Sequence, residues 1–270
     1  MIAIKRGSLY VVLILVALLL FFPIIYAFLV SFMSTKEVLM GHLIPKSFSL
    51  TNYIDAFQAL PLLHSLINSV LVSVITTMGQ IIVCSLAAYA FVFIEFKGRQ
   101  FLFLLFVSTM MIPWEASIIP NFVTVQKLGW INHYAALTIP FFAAAFGTFL
   151  LRQHFKTIPK ELHEASRMAG LGHLSFFLKV VMPVSKTSLV TLGIYCFLTT
   201  WNSYLWPLLV TTDERSRTAQ IGLRQLHAQE NVTQWGVVMA GVVIVAIPTL
   251  LVLFLGQKHL QKGLMDGAVK

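Results

Sequence analysis

The chain has 270 residues, of which 58% are hydrophobic and only 11% charged, with a mean hydropathy of +0.84. An ordinary soluble domain carries about 25% charged residues, so this composition excludes one and calls for lipid. The net charge of +9 does not point to nucleic acid, because the basic residues sit in short loops between apolar runs and not on one polar surface.

The N-terminus carries Lys5 and Arg6, then an apolar run over residues 9–32. That run exceeds the roughly 7–15 residues of a signal-peptide core, and no small-residue cleavage site follows it. It predicts a retained first transmembrane helix, bent at Pro23. An outer segment, 34–61, follows. It contains Asn52-Tyr53-Ile54-Asp55-Ala56-Phe57, which predicts a short interfacial helix. Five more apolar stretches come next, at about 66–93, 101–119, 134–151, 189–210 and 236–255. Spanning a bilayer takes about 20 apolar residues, and continuous runs of this length are helical where barrel strands would be shorter and alternating. The third run carries Pro113, which predicts a kink. Cys84 and Cys196 lie inside apolar runs and read as small packing residues. No internal repeat or low-complexity segment interrupts the pattern. The expectation is an all-α polytopic membrane protein, one domain over 1–270, with about six transmembrane helices.

Charge asymmetry orients it. With the N-terminus inside, thirteen of the 19 Lys and Arg residues fall on the inner side and six on the outer. The positive-inside rule then places both termini, and the loop at about 152–186, in the cytoplasm.

That loop is the main polar interruption. Pro159 suits the first turn of a helix, and Glu161 and Glu164 favour its positive end. Gly170 suits a left-handed C-terminal residue. A helix over 159–169 is predicted, with Leu162, Ala165 and Met168 or Ala169 on one face, and small residues Ala165, Ser166 and Ala169 for close approach of another backbone. A second helix over 173–182 should end at Pro183. Together they make a compact projecting knob.

The spacing Glu164-Ala165-Ser166, then Gly170, then Val180-Val181-Met182-Pro183 after nine residues, resembles the EAA loop of the membrane subunits of bacterial ABC importers. Three further stretches are similar to the carbohydrate branch of that family: Met111-Ile112-Pro113 with Ile118-Ile119-Pro120, the run Trp201-Asn202-Ser203-Tyr204-Leu205-Trp206-Pro207-Leu208, and the tail Gly263-Leu264-Met265-Asp266-Gly267-Ala268-Val269-Lys270. The chain looks most like the second maltose-type permease subunit. The resemblance implies a bacterial inner-membrane permease for a sugar, oligosaccharide or glycerol 3-phosphate. It implies a second homologous permease, two ATPase subunits and an extracytoplasmic solute-binding protein as partners. It also implies coupling through Glu161, Glu164, Ala165, Ser166, Gly170 and Pro183. Ala169 departs from the Asp that often precedes the glycine in the family.

No G-x-x-x-x-G-K-[ST] is present, so the chain should bind no ATP and need no cofactor or metal of its own. His154, His163 and His173 are scattered and read as solvated interfacial residues. No catalytic set is found, so the chain is not expected to be an enzyme. Within the spans, Ser65, Ser69, Ser73 and Thr77 recur every four residues, with Asn68 and Gln80 close by, as a packing stripe or a pathway lining. Glu115, Trp201, Asn202 and Tyr204 are candidate pathway or gate residues. The fifth run enters at Lys186, so Trp201 lies roughly 22 Å along it, in the outer half. An ion-coupled secondary transporter is the alternative; the spans lack the paired carboxylates such a protein uses. A non-transport membrane scaffold does not account for the loop motif.

Overall fold

The computed structural model describes residues 2–59, 62–228 and 234–268, with side chains described except at 2–8, 59, 227–228 and 260–268. The basic side chains of Lys5, Arg6, Lys262 and Lys270, and the tail motif at 263–270, lie outside what is described. Among the described residues every regular element is helical. In chain order the α-helices are α1 (Ile2–Val30), α2 (Thr35–Leu39), α3 (Thr51–Ala59), α4 (Leu62–Phe93), α5 (Arg99–Ser108), α6 (Trp114–Lys127), α7 (Tyr134–Thr138), α8 (Ala145–Phe155), α9 (Lys160–Met168), α10 (His173–Phe176), α11 (Met182–Val184), α12 (Lys186–Trp201), α13 (Leu205–Val210), α14 (Ala219–Ala228) and α15 (Trp235–Ala268).

Three helices cross a membrane unbroken by length and hydropathy: Leu9–Val30, Leu62–Phe93 and Trp235–His259. Three bent pairs bring the number to six. The third run is not one rod. Pro113 forces Ile112 into extended backbone (φ −86°, ψ 115°), and α6 leaves at 97° to the preceding segment. Residues 120–127, beyond the end of the third apolar run, are therefore helical. Pro140, in the short 3-10 turn Ile139–Phe141, bends the fourth run by 43°. The fifth run breaks at 202–204, because Pro207 cannot donate to the carbonyl of Ser203 four residues back. The Asn202 amide covers the loose end by donating to the Leu198 carbonyl at 2.8 Å.

The chain divides into two compact units, Met1–His64 with Ile221–Ile247, and Ser65–Gln220 with Pro248–Lys270. In the first unit a polar knot closes the end of α1. Asn52 of α3 donates to the carbonyls of Ser31 (2.9 Å) and Met33 (2.8 Å), and the Ser31 hydroxyl meets the Tyr53 hydroxyl at 2.7 Å. Gly236 opens α15 against this knot; a Cβ there would lie 2.6 Å from the Met33 carbonyl oxygen. Helix α2, which the sequence pattern did not suggest, is set by a capping box between Ser34 and Glu37. Over residues 9–25 every side chain of α1 is exposed, so lipid or another chain must cover it.

The second unit holds two cores. One gathers Cys84, Ala88 and Tyr89 of α4 with Leu151, Phe155, Phe176, Val181 and Leu192, and both cysteines are buried and unpaired. The other joins Val72, Val125, Ala136, Leu137 and Trp206, whose indole donates to the Ala136 carbonyl at 2.9 Å. The small-polar stripe of α4 packs inward: Ser65, Asn68, Ser69, Ser73 and Gln80 are buried. Asn68 donates to the Arg215 and Arg217 carbonyls and accepts from the Tyr134 hydroxyl, and Ser69 accepts from the Ala219 amide. The stripe therefore anchors the segment after α13, in keeping with its reading as a packing face.

The Glu37 carboxylate accepts from the Ser34 backbone and hydroxyl and from the Lys46 amide, and these bonds hold its pKa down to about 2 from the usual 4.5. A depressed carboxylate stabilises the fold above its unfolded pKa and loses that contribution as pH falls through the folded one. The 34–46 segment should therefore weaken between about pH 4.5 and 2. A carbon-13 carboxyl titration of Glu37 should give a midpoint near 2, moving toward 4.5 in Ser34→Ala; a midpoint already at 4.5 in the parent would contradict the capping geometry.

Candidate functional site

The loop after α8 folds into the knob that its prolines and glycines predict, with two differences. Pro159 stands at the N-cap of α9, one place before the first turn, with extended backbone (φ −57°, ψ 136°). Helix α9 ends in a Schellman arrangement: Leu171 N–H donates to the Ser166 carbonyl at 2.9 Å and Gly170 N–H to the Arg167 carbonyl at 3.0 Å. Gly170 adopts φ +72°, while a Cβ there would meet nothing. The glycine thus serves backbone shape and leaves the surface beside it open.

The second difference is at Pro183. The expected helix over 173–182 does not stop there. It starts as α10, widens to a π-helical turn over Phe177–Val181, and continues as α11 through Pro183 to Val184. Proline cannot donate to the carbonyl four residues back, that of Lys179, and its ring crowds that carbonyl. The wide turn just before it relieves this. The chain then bends by 79° into α12.

The knob is built on the C-terminal end of α4. Phe176 and Phe177 are buried against Tyr89, with Phe93 edge-on to Phe176 at 5.3 Å between ring centroids. The Tyr89 hydroxyl donates to the His173 carbonyl at 3.2 Å and lies 3.0 Å from His173 Nδ1. His163 of α9 packs on Phe176 at 4.9 Å and lies 6.4 Å from His173, centroid to centroid. His163 is half-buried in this ring cluster and is not the solvated residue its spacing suggested, whereas His173 is exposed, as expected, and its ring meets that of Tyr89 edge-on; helix closure brings positions ten apart together. Desolvation, helped by Arg167 and His173 and opposed by Glu164, lowers the His163 pKa below its usual 6.5. Among the described residues no group of three metal-ligating side chains is assembled.

Glu161, Leu162, Glu164, Ala165, Met168 and Ala169 all point outward, Met168 with 84% of its surface exposed. The face expected from helical spacing is thus present and uncovered. Ser166 turns inward, 5% exposed, its hydroxyl donating to the His163 carbonyl at 2.7 Å. Its small size fits α9 against its own chain. A polar cavity of about 390 Å³ separates α9 from the end of α4, lined by Glu95, His163, Arg167 and His173 among others. Pro183 borders an open apolar groove with Met182 and Lys186.

The other candidates do not converge on this knob. Glu115 is exposed in the first turn of α6. Trp201 is buried and stacked on Phe197, Asn202 is exposed, and Tyr204 is half-buried. Beside the break in the fifth span, Ser69, Gln80, Thr199, Thr200, Ser203 and Thr218 line a cavity of about 140 Å³. That volume suits roughly four waters at about 30 Å³ each, and the buried Thr218 hydroxyl has no protein partner among the described residues. Asn132 was not singled out by sequence. It takes a left-handed backbone (φ +64°), and its side chain accepts from the Thr212 and Asp213 amides, so it clamps the turn after α13. Its only sequence signal is an asparagine in a polar loop, a residue type that tolerates that conformation.

Comparison with known proteins is consistent along the chain. The family described as "Binding-protein-dependent transport system inner membrane component" matches residues 38–266. The sn-glycerol-3-phosphate transport system permease protein UgpE of Brucella abortus (strain 2308) is 36% identical over 267 residues, covering 95% of each chain. The protein of the same description from Yersinia pestis bv. Antiqua (strain Antiqua) is 36% identical over 266 residues, again covering 95% of each. Among solved structures, a chain of a bacterial ABC transporter involved in the import of the acidic polysaccharide alginate superposes with a TM-score of 0.87 at 27% identity, covering 95% of this chain and 96% of that one.

Two outcomes follow from the knob. Phe176→Ala should lower thermal stability by about 3 kcal/mol, the usual cost of emptying a buried phenylalanine site, whereas Met168→Ala should leave it unchanged; thermal unfolding of the purified chain in detergent measures both. The lowered pKa of His163 means that the unfolded chain binds the proton more readily, so the knob is most stable above pH 6.5 and loosens as pH falls below it. Hydrogen exchange of the α9 amides across that range, compared with His163→Gln, checks the sign.

Proposed function

Since the chain belongs to the family of binding-protein-dependent transport system inner membrane components, we propose that it forms one half of a gated solute pathway and takes its motive force from a separate ATPase through the knob at 159–184. One observation carries this: α9 presents Glu161, Glu164, Leu162, Ala165 and Met168 on an uncovered face while its opposite side is fixed to the chain by Ser166 and the aromatic rings. A face that is exposed, part apolar and rigidly backed suits a protein partner better than it suits water. Glu161 and Glu164 would give that contact charge and direction. Gly170 shapes its edge, and Pro183 passes displacement on to α12.

The remaining parts follow from the same reading. A second permease subunit completes the pathway, two ATPase subunits bind the nucleotide, and an extracytoplasmic protein delivers solute; this chain holds no cofactor. Both termini and the knob lie in the cytoplasm, as the excess of basic residues on that side favours. The solute class is glycerol 3-phosphate or a carbohydrate, supported by the named activities of the relatives. Trp201 and Tyr204 work as gate packing, with Asn202 and Glu115 nearer to water. An ion-coupled transporter does not fit the family match along 38–266.

In the reconstituted assembly, Glu164→Lys should leave the chain inserted yet cut solute-stimulated ATPase activity by about tenfold, as inverting one charge at a docking contact would. Unchanged stimulation there and in Gly170→Asp would sink the coupling role. Trp201→Ala should slow transport of the solute while the ATPase still co-purifies; loss of the ATPase in that variant would remove Trp201 from the gate.

A further inference from the structure

Arg152, in the last turn of α8, is 4% exposed. Its guanidinium carbon lies 3.6 Å above the centre of the Phe103 ring, and Phe149 stacks near Phe103 at 6.4 Å. Its Nε has no hydrogen-bond partner among the described residues, and none of the ion pairs among them involves it. A charge of the same sign acts on it: Arg99, at the start of α5, is close enough to repel it. Arg99 itself donates from Nη1 to the Val92 and Ile94 carbonyls at 3.2 and 3.1 Å, which fixes its position and leaves its charge uncompensated. Lys97 adds a third positive charge in the same turn, and Glu95, the one acid there, points to the cavity beside α9.

A buried arginine without an acid is costly, and its partner is expected to come from outside the chain. Two features say what that partner is. Both arginines sit at helix ends, Arg99 opening α5 and Arg152 in the last turn of α8. Beside them α5 turns Phe101, Leu102, Leu104 and Leu105 outward, between 46% and 68% exposed. Cations at the rim of an exposed apolar face match a molecule with an anionic head and hydrocarbon tails. A planar guanidinium suits the oxygens of a phosphodiester in particular.

We propose that Arg152 and Arg99 form a binding site for the phosphodiester of an anionic phospholipid whose acyl chains lie along α5. The aromatic stack on Phe103 holds Arg152 in a single pose, ready to receive the headgroup. The lipid neutralises the arginine pair next to the knob, so the fit of α5 against α8 depends on membrane composition.

The test uses the purified assembly equilibrated with vesicles of phosphatidylcholine containing phosphatidylglycerol as a minor component. The phosphatidylglycerol to phosphatidylcholine ratio of the retained lipid is read by mass spectrometry. The parent should enrich phosphatidylglycerol over the vesicle ratio. Arg152→Gln should reduce that enrichment by about fivefold, the weight of one basic side chain at an anionic surface, and Arg152→Lys should keep part of it. Arg99→Gln, at a half-buried position, gives the same direction if Arg152→Gln fails to fold. Lys127→Gln, at a different span end, should change nothing. Enrichment equal in the parent and both glutamine variants would overturn the site. Displacement of the lipid by inorganic phosphate alone would assign the pair to a free anion and overturn the lipid. Loss of the ATPase with unchanged lipid ratio would assign Arg152 to a carboxylate of a protein partner and also overturn it.

Discussion

The contact on which the rest depends is the seat of the knob on α4, where Tyr89 and Phe93 receive Phe176, Phe177 and the two histidines. A loop of about thirty residues has many conformations to lose on ordering. Here three buried rings, the half-buried ring of Phe93 and the two contacts from one tyrosine hydroxyl offset that loss. They tie the loop to a helix of 32 residues that runs the depth of the membrane. Once seated, the knob cannot move without α4 or α12 feeling it. The same ring cluster keeps the opposite face of α9 free of contacts within the chain, and that free face is what a partner would meet.

Much of this was legible in sequence for clear reasons. Apolar runs report burial in lipid directly, so the three unbroken membrane helices were all found and the bent pairs were read as single runs. The helix at 160–168 was placed within a residue because Pro159 and Gly170 act locally, through φ and a missing N–H. What failed was whatever depends on two elements meeting. The 97° turn at Pro113 could be foreseen as a kink but not as a reversal of course, since the angle is set by packing against Trp206 and Phe141. His163 and His173 looked scattered because sequence separation hides a helix turn and a loop. Asn132 gave almost no signal, since its work is done on backbone amides eighty residues away. Ser166 reads as a surface residue from its type, yet its smallness serves the chain's own packing.

The breaks in the spans follow one logic. Backbone groups in lipid must be paired, so each interruption needs a substitute. At 202–204 the Asn202 side chain takes up a carbonyl, and a ring of hydroxyls and Gln80 surrounds a small cavity. At the turn after α13, Asn132 takes up two amides and Asn68 two carbonyls. The first repair is made within the segment itself, whereas the second uses side chains from other elements, Asn68 of α4 and Asn132, so the chain just past the break in the fifth span is fastened to its neighbours. A segment held this way moves with those neighbours.

That bears on how a push at α9 would travel. The 79° bend between the knob and α12 looks like a hinge, but the hydrogen bonding runs through it: Ser185 donates to the Val181 carbonyl and accepts from the Leu189 amide, both at 3.0 Å. A bend bonded on both sides, with Ser185 fully buried, resists flexing more than a bare loop would. The softer element is the π-helical turn over Phe177–Val181, whose wide backbone exists to admit Pro183. Displacement of the knob should therefore be absorbed least at the bend and most at that turn. Its axis, lying between the aromatic seat and α12, sets the direction in which α12 tilts. The proline that marks the loop motif is then no terminator. It fixes where the one compliant turn lies between the exposed face of α9 and the broken fifth span.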